Sequence, residues 1–221
     1  VDGNKSIKTY HGAETRLSIR YNLLDNFSIK AGYNTMRQYI HKVSNTMVMS
    51  PTDTWKLSDM HIKPQLGEQY SAGLYLDLMD GEIETSVEAY YKKLQDYLDY
   101  RSGAQLLMNP HLETDVIPTE GRAYGVEFMV RKPSGKLNGW LSYTYSRTEL
   151  RQSDSRIDNP VNDGEWYPAE YDKPHEVKLV GNYQFTKRYS ASLNFDYSTG
   201  RPQTMPVSKY YDHTVGAPSF F

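Results

Sequence analysis

The residues of this sequence that are best suited to binding a ligand lie in long polar segments. Trp55 and His61 occur in one such segment, and Trp166 and Tyr167 occur in another. Exposed aromatic rings can stack on sugars and other flat groups, because Trp and Tyr combine an apolar body with a polar tip. These four residues are therefore the predicted ligand-binding residues. For each of them, packing of the polar segments against one another is an equally open alternative.

Catalytic and metal-binding patterns are absent from the sequence. It contains no H-E-x-x-H, G-x-S-x-G, Walker or G-x-G-x-x-G motif. The absence of cysteine excludes disulfides, thiolate zinc sites and a cysteine nucleophile. Asp154, Asp158 and Asp163 share one polar segment but lack the spacing of a calcium loop. The histidines are scattered singly: His11, His41, His61, His111, His175 and His213. We predict no catalytic residue, no metal site and no cofactor, and hence no enzyme.

The composition limits the class of protein. The 221 residues carry 25 Lys and Arg against 27 Asp and Glu, so the net charge of −2 gives no reason to expect nucleic acid as a partner. The mean hydropathy is −0.72, and no apolar stretch is long enough for a transmembrane helix. A transmembrane β-barrel remains compatible, because its strands face lipid only at every second residue. The 20 tyrosines suit positions with one apolar and one wet side.

Alternation with a period of two residues recurs along the chain and predicts strands. In segment 189–197, Tyr, Ala, Leu, Phe and Tyr occupy one face, while Ser, Ser, Asn and Asp occupy the other. Seven further segments show the same pattern. The eight predicted strands are centred on residues 17–23, 27–33, 70–78, 83–91, 124–131, 140–145, 176–185 and 189–197.

The connections between these strands alternate in length. Short turns lie at 24–26, 80–82, 134–137 and 186–188, and long polar segments lie at 45–67, 102–121 and 153–174. Successive antiparallel connections fall on opposite ends of a sheet, so all short turns are predicted at one end and all long loops at the other. This asymmetry is typical of an outer-membrane barrel with short periplasmic turns and long extracellular loops. A soluble sandwich, the alternative, requires no such rule.

The end of the sequence argues against a closed eight-stranded barrel. After Tyr197 the alternation stops, and Pro202, Pro206 and Pro218 follow, which removes donors from a strand ladder. We therefore predict an all-β, antiparallel transmembrane β-barrel of which these 221 residues supply about eight strands, with the last residues in a loop. A complete eight-stranded barrel with an irregular tail is the alternative.

Several motifs resemble the barrel of TonB-dependent outer-membrane receptors, particularly the Bacteroidetes type. They are Tyr124–Phe128 (YGVEF), the run from Lys132 through Trp140 to Arg147, Tyr171–His175 (YDKPH) and Ser198–Pro202 (STGRP). The motif residues singled out are Gly125, Glu127, Trp140, Asp172, His175, Gly200 and Arg201. The likeness is best over residues 68–204.

The resemblance implies a 22-stranded barrel, about a third of which lies in residues 1–221. It also implies an N-terminal plug domain, which these residues do not show, and energy supplied through that plug by TonB, ExbB and ExbD. The implied location is the outer membrane of a Gram-negative bacterium, in contact with its lipid. A surface lipoprotein is a further candidate partner.

Simple physical roles are expected for four of the motif residues. Gly125 allows the plug or a neighbouring aromatic ring to approach the barrel wall closely. Glu127 could pair with an Arg of the lumen or the plug, or remain solvated. A hydrogen bond between Asp172 and His175 could tie the base of a loop.

The functional prediction is active uptake of a scarce nutrient: an iron–siderophore complex, a glycan, cobalamin or a peptide. Two alternatives remain open. One is an outer-membrane barrel that acts without transport, as an enzyme or an adhesin. The other is a soluble or surface β-sheet protein that binds carbohydrate, in which Leu74, Leu76 and Phe128 would be buried against a second sheet.

Overall fold

The fold consists of strands joined by turns and loops. A computed structural model describes residues 8–43, 54–100, 116–152, 157, 160–203, 209–212 and 217–220. The strands in chain order are β1 (Arg16–Leu24), β2 (Phe27–Gln38), β3 (Ile40–Val43), β4 (Thr54–Leu57), β5 (Gln65–Leu78), β6 (Ile83–Tyr100), β7 (Val116–Lys132), β8 (Leu137–Arg151), β9 (Tyr167–Pro168), β10 (His175–Gln184), β11 (Ser190–Ser198), β12 (Lys209–Asp212) and β13 (Ala217–Phe220). A 3-10 turn spans Val161–Gly164. Over the described residues, no helix has the length and apolar character needed to cross a bilayer.

Eight strands form one continuous antiparallel sheet in the order β1-β2-β5-β6-β7-β8-β10-β11, and β9 adds to β8 beyond the end of β10. These are the eight strands predicted from the alternation, so the all-β antiparallel class is confirmed. Among the described strands, β1 pairs with β2 alone and β11 with β10 alone. The sheet is therefore open at both edges. Two separate hairpins, β3–β4 and β12–β13, complete the described strands.

The connections confirm the predicted asymmetry. β1–β2, β5–β6, β7–β8 and β10–β11 are joined by short turns at one end of the sheet, which we call the short-turn end. The turn between β5 and β6 has positive φ angles at Met79, Asp80 and Gly81, and the N–H of Glu82 donates to the carbonyl of Met79 over 3.1 Å. The opposite end, the long-loop end, carries the connections 39–64, 101–115 and 152–174.

The predicted loop limits were wrong where strands continue past the alternating pattern. β7 begins at Val116, inside the segment predicted as loop 102–121, and β4 and the start of β5 lie inside 45–67. These extensions lack an apolar face, so the period-two signal ends before the backbone pairing does. The end of the chain also differs from the expected loop, because β12 pairs with β13 and Pro218 faces Tyr211. Both strands of a two-stranded hairpin are edges, where proline is tolerated.

The sheet has an apolar face and a polar face, and the apolar one is not covered. Its side chains remain accessible: Ile19 is 72% exposed, Leu193 59%, Leu74 47% and Phe128 40%. The soluble sandwich alternative required these side chains to be buried, so it is wrong. Buried apolar residues of the described part lie at the long-loop end instead: Ile62, Leu94, Ile117, Leu150 and Ala169.

An arginine placed on the two faces should have unequal effects. Leu193 lies midway along the apolar face of β11, and Asn194 is its neighbour on the polar face. In the intact protein folded into lipid, we expect Leu193→Arg to lower the free energy of unfolding by about 2–4 kcal/mol, because the charge enters hydrocarbon. Asn194→Arg should change it little. Equal losses for both variants, measured by denaturant titration in vesicles, would contradict the assignment of faces.

Candidate functional site

A belt of tyrosines marks the limit of the apolar face on the side of the long-loop end. Tyr33, Tyr70, Tyr91 and Tyr124 stand directly opposite one another on β2, β5, β6 and β7. The rings of Tyr33 and Tyr70 are 4.9 Å apart. Beyond this row, towards the long-loop end, the same face carries charged residues. Tyrosine rows of this kind are typical of the boundary between hydrocarbon and water.

His175 extends the tyrosine belt. Its Nδ1 lies 2.9 Å from the Tyr143 hydroxyl, and its ring centroid is 5.3 Å from that of Tyr145. The sequence suggested Asp172 as the partner of His175. The structure gives the two side chains different partners and places His175 among the aromatic rings of the apolar face, so the suggested bond was wrong.

Asp172 closes a gap in the strand ladder. Between β9 and β10 the chain leaves the edge of β8, and the buried Asp172 carboxylate takes its place there. Its Oδ1 accepts the backbone N–H of Thr148 over 2.7 Å, while the Arg147 guanidinium lies 3.2 Å from Oδ2, as an ion pair without hydrogen-bond alignment. The carbonyl of Thr148 accepts from the N–H of Ala169. Both backbone groups of Thr148 are thus satisfied where regular pairing stops.

Gly125 makes room for an aromatic ring on the polar face. A Cβ at this position would lie 3.0 Å from the Tyr90 ring and 2.5 Å from the Tyr145 carbonyl oxygen. Any side chain would therefore displace the strand or the ring. The close approach of a neighbouring aromatic ring was one of the two expected reasons for this glycine.

Carboxylates gather on the polar face near Gly125. Glu127 is exposed and stands directly opposite Glu88 on the neighbouring strand. The Tyr75 hydroxyl donates to Glu88 Oε1 over 2.6 Å. Like charges in facing positions are unfavourable unless a cation or water lies between them. Further along this face, Trp140 borders a shallow groove with Lys178 and Asp196.

Tyr167 is held within a cluster at the long-loop end. Its hydroxyl donates to Asp99 Oδ2 over 2.8 Å, and Gln152 Nε2 donates to the same oxygen over 3.2 Å. The hydroxyls of Tyr171 and Tyr97 are 3.4 Å apart. Burial, followed by the charge and hydrogen bonding of Asp99, raises the pKa of Tyr167 well above its usual range. This cluster fixes the loop 160–174 on β6 and β8. Sequence reasoning missed it, because its members lie far apart along the chain.

Trp166, which directly precedes β9, has different partners from Tyr167. Its ring lies 4.2 Å from the Arg122 guanidinium and 4.8 Å from that of Arg151. Each arginine is also paired with a glutamate, Arg122 with Glu149 at 2.6 Å and Arg151 with Glu120 at 2.5 Å. Trp166 therefore packs against two guanidinium groups, in agreement with the packing alternative for this residue.

Trp55 and His61 lie in the segment around the β3–β4 hairpin. Trp55 is 56% exposed, and His61 is exposed beside a turn in which its N–H donates to Asp59 Oδ1 over 2.8 Å. In the same hairpin, His41 is only 3% exposed, and its Nε2 is 3.0 Å from the Ser58 hydroxyl. Burial lowers the pKa of His41. Of the four predicted ligand-binding residues, Trp55 and His61 are exposed, whereas Trp166 and Tyr167 are half-buried.

The remaining sequence candidates contribute no assembled site. Gly200 has open space around its Cα, and Arg201 is exposed. Within the described ranges, no three His, Asp or Glu side chains are grouped so that they could hold a metal ion. His111, Asp154, Asp158 and His213 lie outside the described residues.

The comparison with protein families shows to which family this chain belongs. The family described as TonB dependent receptor-like, beta-barrel, matches residues 2–219. The chain belongs to the TonB-dependent receptor β-barrel family. No curated protein sequence matches it significantly.

Solved structures of two outer-membrane receptors resemble this chain at low sequence identity. The ferripyoverdine receptor of the outer membrane of Pseudomonas aeruginosa, bound to ferripyoverdine, has a TM-score of 0.58 and 14% identity over 94% of this chain. The alcaligin outer membrane receptor FauA from Bordetella pertussis has a TM-score of 0.44 and 16% identity over 81% of this chain. The chain spans 25% of the first receptor and 33% of the second.

The role of Asp172 in this TonB-dependent receptor barrel can be tested by substitution. Asp172→Ala leaves the N–H of Thr148 and the Arg147 guanidinium without their partner, so we expect a loss of about 3–5 kcal/mol in the free energy of unfolding. Asp172→Asn keeps an acceptor and should cost less. Glu165→Ala, at an exposed position of the same loop with an extended backbone, serves as the matched control. A loss for Asp172→Ala no larger than for the control would contradict this role.

Acid should loosen the hairpin segment that carries Trp55 and His61. The pKa of His41 is lower in the folded state than in the unfolded state, so the unfolded state binds more protons. The stability that the neutral, buried His41 gives to this hairpin is then fully present above the ordinary histidine pKa of about 6.5. It is lost progressively as the pH drops below that value. Amide exchange across residues 40–43 and 54–62 should be faster at pH 5 than at pH 7.5, after correction for intrinsic rates. The difference should disappear in His41→Gln and persist in His61→Gln, and its persistence in His41→Gln would contradict the account.

Proposed function

We propose that this chain forms part of the barrel wall of an outer-membrane receptor that takes up a scarce nutrient in a Gram-negative bacterium. The observation that carries the proposal is the two-faced sheet of a TonB-dependent receptor family member. Eight neighbouring strands of the sheet expose apolar side chains on one face and polar or charged side chains on the other. Lipid would cover the first face, and a water-filled or plugged interior would meet the second.

The complete barrel would be larger than this sheet. Among the described strands, the two edge strands β1 and β11 are each paired on one side only, so a further strand could pair with the other side of each. The chain spans only a quarter of the ferripyoverdine receptor. Both facts support a barrel of 22 strands, the size known for plugged outer-membrane transporters. We propose the Bacteroidetes type on the motifs YGVEF, YDKPH and STGRP.

The polar face would contact a plug domain inside the barrel. Glu127 and Glu88 place two carboxylates side by side on this face, and Glu127 forms no ion pair with the described residues. A cationic side chain of the plug would relieve their repulsion. Energy would reach the plug through TonB, ExbB and ExbD. This arrangement requires no catalytic step and no cofactor of the barrel.

The cargo would bind at the long-loop end. Trp55 and His61 are the residues that we propose for cargo contact, because they are exposed on the loop surface. We assign Tyr167 and Trp166 a supporting role, since one is hydrogen-bonded to Asp99 and the other lies against two guanidinium groups. An iron–siderophore complex, a glycan, cobalamin or a peptide would suit a surface of this kind, and a surface lipoprotein would be a candidate partner for large cargo.

Uptake in living cells tests this function. The intact receptor gene is deleted, and uptake of labelled ferric siderophores, cobalamin, oligosaccharides and peptides is compared with that of the parent strain. We expect one class of cargo to be lost, restored by the wild-type gene, and lost again when TonB is absent. Uptake that depends on the receptor but continues without TonB would contradict active transport. A receptor whose removal affects none of these cargo classes would contradict the uptake proposal.

A further inference from the structure

A groove crosses the polar face where β1, β2 and β5 lie side by side. It is an open concavity of about 480 Å³ whose lining includes Arg16, Ser18, Lys30, Asn34, Gln69 and Ser71. Its floor is backbone at Gly32, where a Cβ would lie 2.8 Å from the Ser71 hydroxyl oxygen. Small-molecule sites usually measure about 300–1,000 Å³, so the groove has the size of such a site.

The groove lies at the height of the tyrosine belt, on the other face of the wall. Gly32 and Asn34 flank Tyr33 of the belt along β2, and Ser71 follows Tyr70 along β5. Because neighbouring strand residues point to opposite faces, the groove opens towards the polar side where the belt marks the limit of the apolar side. A cargo that arrives from the long loops would therefore meet this part of the wall before it meets the short-turn end.

Four cations surround the groove. Arg16 and Lys30 line it, and Arg20 stands directly opposite Lys30. Lys92 lies next to it, directly opposite Gln69 of the lining. Arg16, Lys30 and Lys92 form no ion pair or hydrogen bond with the described residues. Like charges in facing positions are destabilising, and an anion bound between them would remove that penalty.

The carboxylates near the groove are fewer than the cations. Glu14 lies beyond one end, where its Oε1 accepts the backbone N–H of Arg37 over 2.9 Å. Glu88 lies on the far side of Gly73, and its Oε1 accepts from the Tyr75 hydroxyl over 2.6 Å. Neither carboxylate lines the groove. Four cations thus face two carboxylates on this part of the polar face, and its net charge is positive.

The spacing of the cations indicates how large the anion should be. Arg16, Lys30 and Lys92 lie on β1, β2 and β6, and three strand spacings separate the first strand from the last. Three spacings correspond to about 14 Å, which exceeds the length of a single carboxylate side chain. A molecule with several anionic groups suits this arrangement better than one acidic residue of a plug does.

We propose that the cargo of this receptor is a small molecule with several carboxylate or phosphate groups, and that Arg16, Lys30 and Lys92 bind it on the polar face. Guanidinium binds such groups through paired hydrogen bonds, and an ammonium group adds a point charge. The hydroxyl and amide groups of the lining supply donors to further oxygens. This inference rests on the proposed uptake function and narrows its cargo to an anionic one.

Protection of an introduced cysteine tests binding in the purified intact receptor. Residues 1–221 contain no cysteine, so Ser71→Cys places one thiol in the groove once any cysteine elsewhere in the receptor is replaced by serine. Its reaction with an uncharged maleimide is timed in the presence of citrate, pyrophosphate or, as the neutral probe, sucrose. We expect both anions to slow the reaction and sucrose to leave it unchanged. Thr144→Cys, between Glu127 and Glu176 on the same face, is the matched control and should not be protected.

Substitution of the cations tests which residues bind the anion. Arg16→Gln and Lys30→Gln should each raise the citrate concentration for half-protection about tenfold, as for loss of one charge-assisted contact. Lys92→Gln, on a different strand, keeps the test valid if either variant fails to fold. Lys187→Gln, at an exposed position of the turn between β10 and β11, should leave protection unchanged.

The outcomes separate the anionic cargo from other occupants and from the uptake function. Protection by neither anion, equal protection by sucrose, or full protection in all three groove variants would overturn the proposal. A thiol at position 71 that the maleimide never reaches would assign the groove to the plug and also overturn it. The measurement involves no TonB, so failed uptake would leave its result intact. Receptor-dependent uptake of a neutral oligosaccharide alone would support the uptake function and contradict an anionic cargo.

Discussion

The register between the eight neighbouring strands of the sheet, regular through its middle, is the constraint on which the structure depends. Side chains alternate between the two faces, so a slip of one residue in any pair would exchange the apolar and polar faces of that strand. The pairing keeps Ala31, Ala72 and Ala89 in one row and the four tyrosines of the belt in another. The two irregularities of the sheet lie near its ends, between Asn22 and Leu24 and between Leu94 and Tyr97. The middle of the sheet keeps its faces distinct.

The same constraint explains how the loops are attached. In a bilayer every backbone N–H and C=O must be paired within the protein, but beyond the tyrosine belt side chains can replace strand neighbours. Asp172 does so for Thr148, where the edge of β8 passes from β10 to β9. Asp99 then receives hydrogen bonds from Tyr167 and Gln152. The loop after β8 is thus built on the sheet by polar contacts, which are stronger away from bulk water.

Alternation in the sequence predicted the sheet because one face is apolar along the middle of each of its eight strands. Segments such as 189–197 carry the period-two pattern over their full length. The pattern could not show that β7 begins at Val116, because this extension has no apolar face. It also could not show the hairpin β12–β13, since prolines obscure the signal in that segment.

The candidate site was predictable in part. The polar loops and their exposed Trp55 follow from composition, whereas the partners of Asp172 and Trp166 follow from three-dimensional pairing. His175 illustrates the difference. In the sequence it is separated from Asp172 by two residues, but strand pairing places it opposite Tyr145. Residues that are close along a chain often lie on different faces of a sheet.

Solvent and lipid accessibility along one strand tests the central claim most directly. The 221 residues contain no cysteine, so single cysteines at 70–78 of β5 can carry spin labels in the intact receptor within lipid vesicles. The structure predicts that collisions with oxygen, which is enriched in hydrocarbon, peak at the even positions from Tyr70 to Leu78. Collisions with a water-soluble nickel complex should peak at the odd positions from Ser71 to Asp77. Loss of this alternation, or labels at Leu74 and Leu76 that neither reagent reaches, would contradict an apolar face turned towards lipid.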